Sequence, residues 1–189
     1  MVDLTKACER TAKLLEGVRD EDLGSRTPCE KLSVAELVAH IGGLAPAFAA
    51  AARKELGALT DTVPDDGAYL LDDDWRSRYP DELAHLAEAW RAPEAWDGMT
   101  RVAGFDLPGE AAGLIALTEV VIHGWDLAHA TGQPYDVDGD DVQAVLGHVA
   151  AVAAEGPAEG LFGPAVPAPD DASRLERALA LSGRRPRPC

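Results

Sequence analysis

The chain has 189 residues, with 17 Lys and Arg against 33 Asp and Glu and a formal net charge of −16. That acid excess argues against nucleic acid or an anionic membrane as partner, since both select basic surfaces, and the length suits one domain, or one domain with a tail. Three dispersed cysteines, Cys8, Cys29 and Cys189, with no CxxC pair, argue against a disulfide framework and for a reducing, cytoplasmic setting.

Helical periodicity dominates from the start. Residues 3–18 place Leu4, Ala7, Cys8, Thr11, Leu14, Leu15 and Val18 on one face, with most charges elsewhere. This charged opening is unlike a signal peptide, and no apolar run approaches the ~20 residues that span a bilayer. DLGSRTPCEK reads as a loop. Ser33 then forms a capping box with Glu36 and opens a second helix, on which Leu37, His40, Ile41 and Leu44 share a face. Gly42, Gly43 and Pro46 should bend this helix without ending it, because Ala47 to Leu56 continue in strong helix formers. Residues 60–72 are polar and turn-rich, a loop. A third helix runs to about Trp90, with Leu83, Leu86, Ala87 and Trp90 inward and Pro80 marking its first turn or a kink. RAPEAWDGMTRVAGFDLPGE lacks a helical period and suits a short extended or hairpin segment. Pro108 fits the first turn of a fourth helix that Gly132 ends. Asp138, Asp140 and Asp141 favour the start of a fifth, which carries Val142, Val145, Leu146, Val149 and Val152. After Glu155 the chain turns Gly/Pro-rich, before a short helix from about Ala172 to Leu181 and a basic end, GRRPRPC. The fold class is all-α, most simply a bundle.

The fourth helix carries the chemistry. Leu114, Ile115, Leu117, Val120, Val121, Ile122 and Leu127 make it apolar nearly all round, the signature of a core helix. At roughly 100° per residue, Thr118, Glu119, His123, Asp126 and His129 fall within an arc of about 140°. Glu119 and His123, four residues apart, leave one face together, and burying a carboxylate and an imidazole is costly unless they are paired or bound to a metal. His40, on the apolar stripe of the second helix, is the natural third ligand. Two His and one Glu suit zinc with a position left open, with nickel, iron or manganese as alternatives. The plainer reading stays open: a core histidine held by hydrogen bonds, and an ExxxH pair that only supports a helix. Asp126 could hold an imidazole in one tautomer, or could serve a cap or salt bridge. His129 shares the polar arc, Trp125 suits core or pocket wall, and Cys29 lies in a loop that could reach the site. His85 reads as surface and His148 as structural. No GxSxG, P-loop or GxGxxG competes.

The strings TPCEKLSVAELVAHIGG, VVIHGWDLAHATGQP and FGPAVPAPDDASRLERALALSGRRP resemble the metal-binding branch of the DinB-like superfamily. More narrowly, they are similar to proteins related to the N-terminal domain of mycothiol-dependent maleylpyruvate isomerase. The resemblance implies an up-down-down-up four-helix bundle over residues 1–155, with an additional helix. A C-terminal extension over 156–189 would pack on that bundle. It also implies a divalent metal, often zinc, on His40, Glu119 and His123. The chain departs from the family pattern at Leu32, where relatives usually carry Trp, and many relatives have Asp or His in place of Glu119. The expectation that follows is an S-transferase or isomerase in which the metal holds a low-molecular-weight thiol such as mycothiol as its thiolate. Asp126 or His129 would orient a ligand or relay a proton, and Trp125 and Cys29 would line the cofactor pocket. Its partners would be the thiol and an electrophilic substrate, with a homodimer left open. A thiol-independent hydrolase or lyase, or a non-catalytic metal-stabilised binding protein, is the alternative.

Overall fold

The computed structural model describes residues 1–63, 69–137, 139–155 and 162–187. The elements run α1 (Thr5–Glu16), α2 (Val34–Arg53), α3 (Ala58–Asp61), α4 (Trp75–Ala89), α5 (Pro93–Trp96), β1 (Met99–Val102), β2 (Phe105–Pro108), α6 (Gly109–Thr131), α7 (Gly139–Glu155) and α8 (Arg174–Leu181). Asp138 and residues 156–161, on which the start of the fifth predicted helix and part of the Gly/Pro-rich stretch fall, lie outside the described residues, as does Cys189.

Local chemistry sets the element boundaries. The Ser33 hydroxyl accepts from the Glu36 amide, and the Glu36 carboxylate accepts from the Ser33 amide at 2.8 Å, the reciprocal cap read from the sequence. α2 runs through Pro46 and stops at Arg53, three residues earlier than expected, because Lys54 turns left-handed at φ 58°. Pro80 sits inside α4, five residues after its start at Trp75, so it does not mark the first turn. Pro108 directly precedes α6, and Gly132 ends it at φ 66°. The stretch without helical period forms the one-turn α5 and an antiparallel hairpin pairing Val102 with Phe105. Ala103 and Gly104, at φ 50° and 79°, make the two-residue turn whose twist suits a hairpin.

The long helices α1, α2, α4 and α6 make a bundle in which α1 and α2 each pack on both α4 and α6. Contacts at their ends give the directions. Gln133, just past α6, donates to the Leu14 carbonyl near the end of α1 at 3.0 Å, and the Thr11 hydroxyl donates to the Val120 carbonyl, so α1 and α6 are parallel. Arg76 at the start of α4 donates to the Val18 carbonyl, which reverses α4 against α1. The Thr100 hydroxyl of β1 donates to the Ala51 carbonyl, placing the end of α2 beside the strands that lead into α6. The order is up, down, down, up, as the resemblance implied. α2 and α6 are each long and apolar enough by composition to cross a membrane, contrary to the expectation from uninterrupted runs; their apolar windows are 67% and 78% buried within the protein.

The chain divides into two compact units, Met1–Tyr135 and Asp136–Cys189. In this division α7 falls in one unit with α8, on which it packs, and the expected boundary stood at 155. Asp141, Val142, Val145 and Val149 are the buried residues of α7.

Two adjacent glycines in α2 give substitutions of opposite sign. A Cβ on Gly42 would stand 2.3–2.5 Å from the Tyr79 ring, whereas one on Gly43 would meet nothing within 4 Å. Gly42→Ala should destabilise by about 1–3 kcal/mol through overpacking, and Gly43→Ala should stabilise by roughly 0.5–1 kcal/mol through backbone entropy. Denaturant midpoints of the two variants beside the parent check both.

Candidate metal centre

Antiparallel packing of α2 on α6 brings His40 against the Glu119/His123 pair. One carboxylate oxygen, Glu119 Oε2, lies 3.4 Å from His40 Nε2 and 3.2 Å from His123 Nε2. The donor atoms of all three residues lie within 4.8 Å of one another. The two imidazoles meet edge to face, with ring centroids 4.7 Å apart. Zinc–nitrogen and zinc–oxygen bonds of 2.0–2.1 Å give a tetrahedral edge of about 3.3 Å, close to the two separations here, which are also those of hydrogen-bonded pairs. Two nitrogens and one carboxylate oxygen are also a donor set that zinc accepts.

The second shell of contacts is built from the same helix turn. Asp126, fully buried, places Oδ2 3.1 Å from His123 Nδ1. An Nδ1–H donated there leaves Nε2 facing Glu119 and His40, the tautomer a metal ligand needs. A donor atom of Cys29 comes within the same 4.8 Å of His123 and Asp126. Its loop is held where Thr27 Oγ1 lies 2.9 Å from the Cys29 carbonyl and 2.7 Å from that of Leu32. Leu32 is buried in this loop.

Burial alone would lower the His123 pKa, but hydrogen bonds to Asp126 and Glu119 and their charges outweigh it and raise the pKa to about 9. For Glu119, burial pushes the carboxyl up, and the hydrogen bonds and charges of His123 and His40 overcome it and hold it far below the usual carboxylate range.

A cavity of about 260 Å³ adjoins the cluster through His40. Leu44, Ala47 and Phe48 of α2 form one wall, and α3 and the hairpin turn form others. Tyr69 also lines it and sets its ring edge-on to His40 at 5.0 Å. Sequence reasoning missed Tyr69, which stood as one aromatic in a polar loop; a lone Tyr among acids was the available signal.

Two expected residues do not join the cluster. His129 is exposed and lies against the Trp125 ring, centroids 5.0 Å apart. Angular projection placed it in the polar arc, but ten residues beyond Glu119 is about 15 Å along the axis. Trp125 is nearly buried beside it and does not line the cavity.

Residues 4–128 match the family described as the mycothiol maleylpyruvate isomerase N-terminal domain. The chain belongs to that family. All three clustered ligand candidates fall inside the match, and His129 falls just outside it. An uncharacterized protein of Mycobacterium tuberculosis, from strain CDC 1551 / Oshkosh and likewise from strain ATCC 25618 / H37Rv, is 33% identical over 143 residues, covering 70% of this chain and 68% of the relative. A crystal structure of the mycothiol-dependent maleylpyruvate isomerase superposes with a TM-score of 0.60 at 21% identity, covering 82% of this chain and 70% of that one. A histidine-to-alanine mutant of that enzyme gives 0.57 at 20%. At such identity the likeness establishes the DinB-like bundle fold.

The cluster makes a sign-definite pH prediction for protein kept free of metal by a chelator. His123, raised from 6.5 to about 9, contributes stability that is complete below pH 6.5 and lost as pH rises through 9. Glu119, lowered from 4.5, contributes stability present above that value and lost as pH falls. Denaturant midpoints should therefore decline from pH 6.5 toward 9, and His123→Gln should remove most of that slope.

Proposed function

We propose that this protein is a metal-dependent enzyme that uses a low-molecular-weight thiol, mycothiol or a close analogue, for S-transfer or isomerisation. His40, Glu119 and His123 would hold one divalent ion, zinc first. The observation that carries the reading is the single carboxylate oxygen set at tetrahedral-edge distance from two imidazole nitrogens, in a family named for a mycothiol-dependent isomerase. When bound, the ion supplies a Lewis acid that keeps a thiol sulfur as thiolate, its nucleophilic form.

The chain's own residues do the rest. With an ion bound, His40 and His123 would present neutral nitrogens, and Glu119 would cancel one unit of its charge. Asp126 is a positioning residue: it accepts from His123 Nδ1 and thereby fixes which nitrogen carries the lone pair. Cys29, beside His123 and Asp126, sits where it would border the bound thiol. His129 and Trp125 have no part in this reading.

Elemental analysis of purified protein should find about one divalent ion per chain, and His40→Ala or His123→Ala should lose it. Asp126→Asn should keep the ion at saturating zinc but bind it roughly 10–100-fold more weakly, with the pH of half-loading displaced. Electrophile consumption should require added mycothiol. Turnover of equal rate without thiol would transfer the site to water activation, and metal-free protein from every metal supplement would end the proposal.

A further inference from the structure

The cavity next to the candidate metal centre is chemically one-sided. Its wall is mostly apolar, with Leu44, Phe48, Leu59 and Val102 the largest aliphatic and aromatic side chains beside Tyr69 and His40, and no Lys or Arg lines it among the described residues. The two threonines there spend their protons on backbone carbonyls. Thr60 Oγ1 donates to the Gly57 carbonyl at 3.1 Å, and Thr62 Oγ1 to that of Ala58 at 2.6 Å. Basic residues on the bordering elements are also engaged elsewhere: Arg101 with Asp106 and Asp61, and Lys54 with the Asp97 carbonyl.

The surroundings of the wall continue the pattern. Among the described residues, and apart from Met1, the exposed large apolar side chains are Leu56, Leu59, Val63, Leu70, Met99 and Phe105, all within the stretch that builds α3, the Tyr69 segment and the hairpin. Leu59 lines the cavity, Leu70 follows Tyr69, and Phe105 pairs with Val102. Mycothiol, a polyol conjugate, would leave its hydroxyls unmatched against such walls. A dicarboxylate fares worse. Even with one carboxylate near the ion, the other would lie desolvated beside Leu and Phe without a cation.

We infer that the cavity takes the second substrate, and that this substrate is a small uncharged electrophile with an aromatic or branched-alkyl body rather than a dicarboxylate such as maleylpyruvate. The inference rests on the thiol-enzyme reading above and names the substrate class of that site. A volume of about 260 Å³ lies just below the roughly 300–1,000 Å³ usual for ligand pockets, which suits a body of one ring.

The test is calorimetric binding to the full chain of two unreactive probes, nitrobenzene for the uncharged class and maleate for the dianion. Two variants accompany the parent: Ala47→Trp fills the cavity, and Leu59→Arg places a cation on its wall at a position already 53% exposed. Nitrobenzene should bind the parent and lose at least about tenfold in affinity in Ala47→Trp, a loss in the range that pocket filling and methylene-scale changes produce. Leu59→Arg should weaken nitrobenzene and strengthen maleate. The inference is overturned if nitrobenzene does not bind, if Ala47→Trp remains folded and leaves its affinity unchanged, or if maleate binds the parent in a manner that Ala47→Trp abolishes. Should Ala47→Trp fail to fold, an unchanged probe ratio in Leu59→Arg overturns it alone. Zinc content and thiol-dependent turnover, measured on the same preparation, separate the two levels. A zinc-free protein that accepts nitrobenzene and refuses maleate loses the thiol-enzyme reading but keeps the cavity assignment. A zinc-loaded, thiol-dependent enzyme that prefers maleate does the reverse.

Discussion

A carboxylate placed between two imidazoles, one on its own helix and one on the antiparallel neighbour, is the constraint that the bundle is arranged around. A helix apolar on nearly every side has little reason of its own to choose one axial register against another. Glu119 supplies that reason. A slip of one helical turn between α2 and α6 would move His40 about 5.4 Å along the axis, leaving a largely buried carboxylate with half of its partners. The other interfaces carry complementary locks of shape: Gly42 admits the Tyr79 ring between α2 and α4, and Gly113 admits Trp90 and Trp96 beside α6. Polar pairing thus sets register on one side of the bundle, and small-against-large packing sets it on the others.

The same arrangement explains why the cluster is poised and not merely satisfied. In the absence of an ion, a proton on His123 offsets the charges of Glu119 and Asp126, which is why His123 rises to about 9 although burial opposes it. A divalent cation would take over that compensation toward Glu119. Proton and metal would then compete for the Nε2 lone pair of His123. Asp126 stands outside the competition because it faces Nδ1 and leaves Nε2 toward the cluster.

Much of this was legible in the residues, and the limits are physical. The Ser33/Glu36 cap, the Gly132 stop and the all-round apolarity of α6 are local signals, and local signals survive folding. The pairing of His40 with Glu119 followed from burial cost, because two stranded polar groups on apolar faces have few other solutions. What chain order and angle left out was nonlocal. His129 satisfied an angular projection that discards axial distance. Chain order put α7 with the bundle, and it falls in one compact unit with α8, on which it packs. Tyr69 and the cavity could not be read at all, since their walls come from α2, α3, the Tyr69 segment and the hairpin, segments distant in sequence.

That last point bears on where specificity resides. The ligand candidates stand on two core helices whose packing tolerates little change, and they lie within the family match. The walls of the cavity come partly from α3 and the hairpin, which sit outside the four-helix frame; Thr100 Oγ1 donates to the Ala51 carbonyl of α2, and the Gly104 amide ties the hairpin turn to Thr60 of α3. Leu59 and Val102 are exposed or half-buried, so exchanging them alters the cavity at small expense to the core. A frame that held a metal could accordingly serve several substrates, with the frame holding the ligands and the attached segments choosing what approaches them. In this chain those segments set mostly hydrocarbon against the cavity.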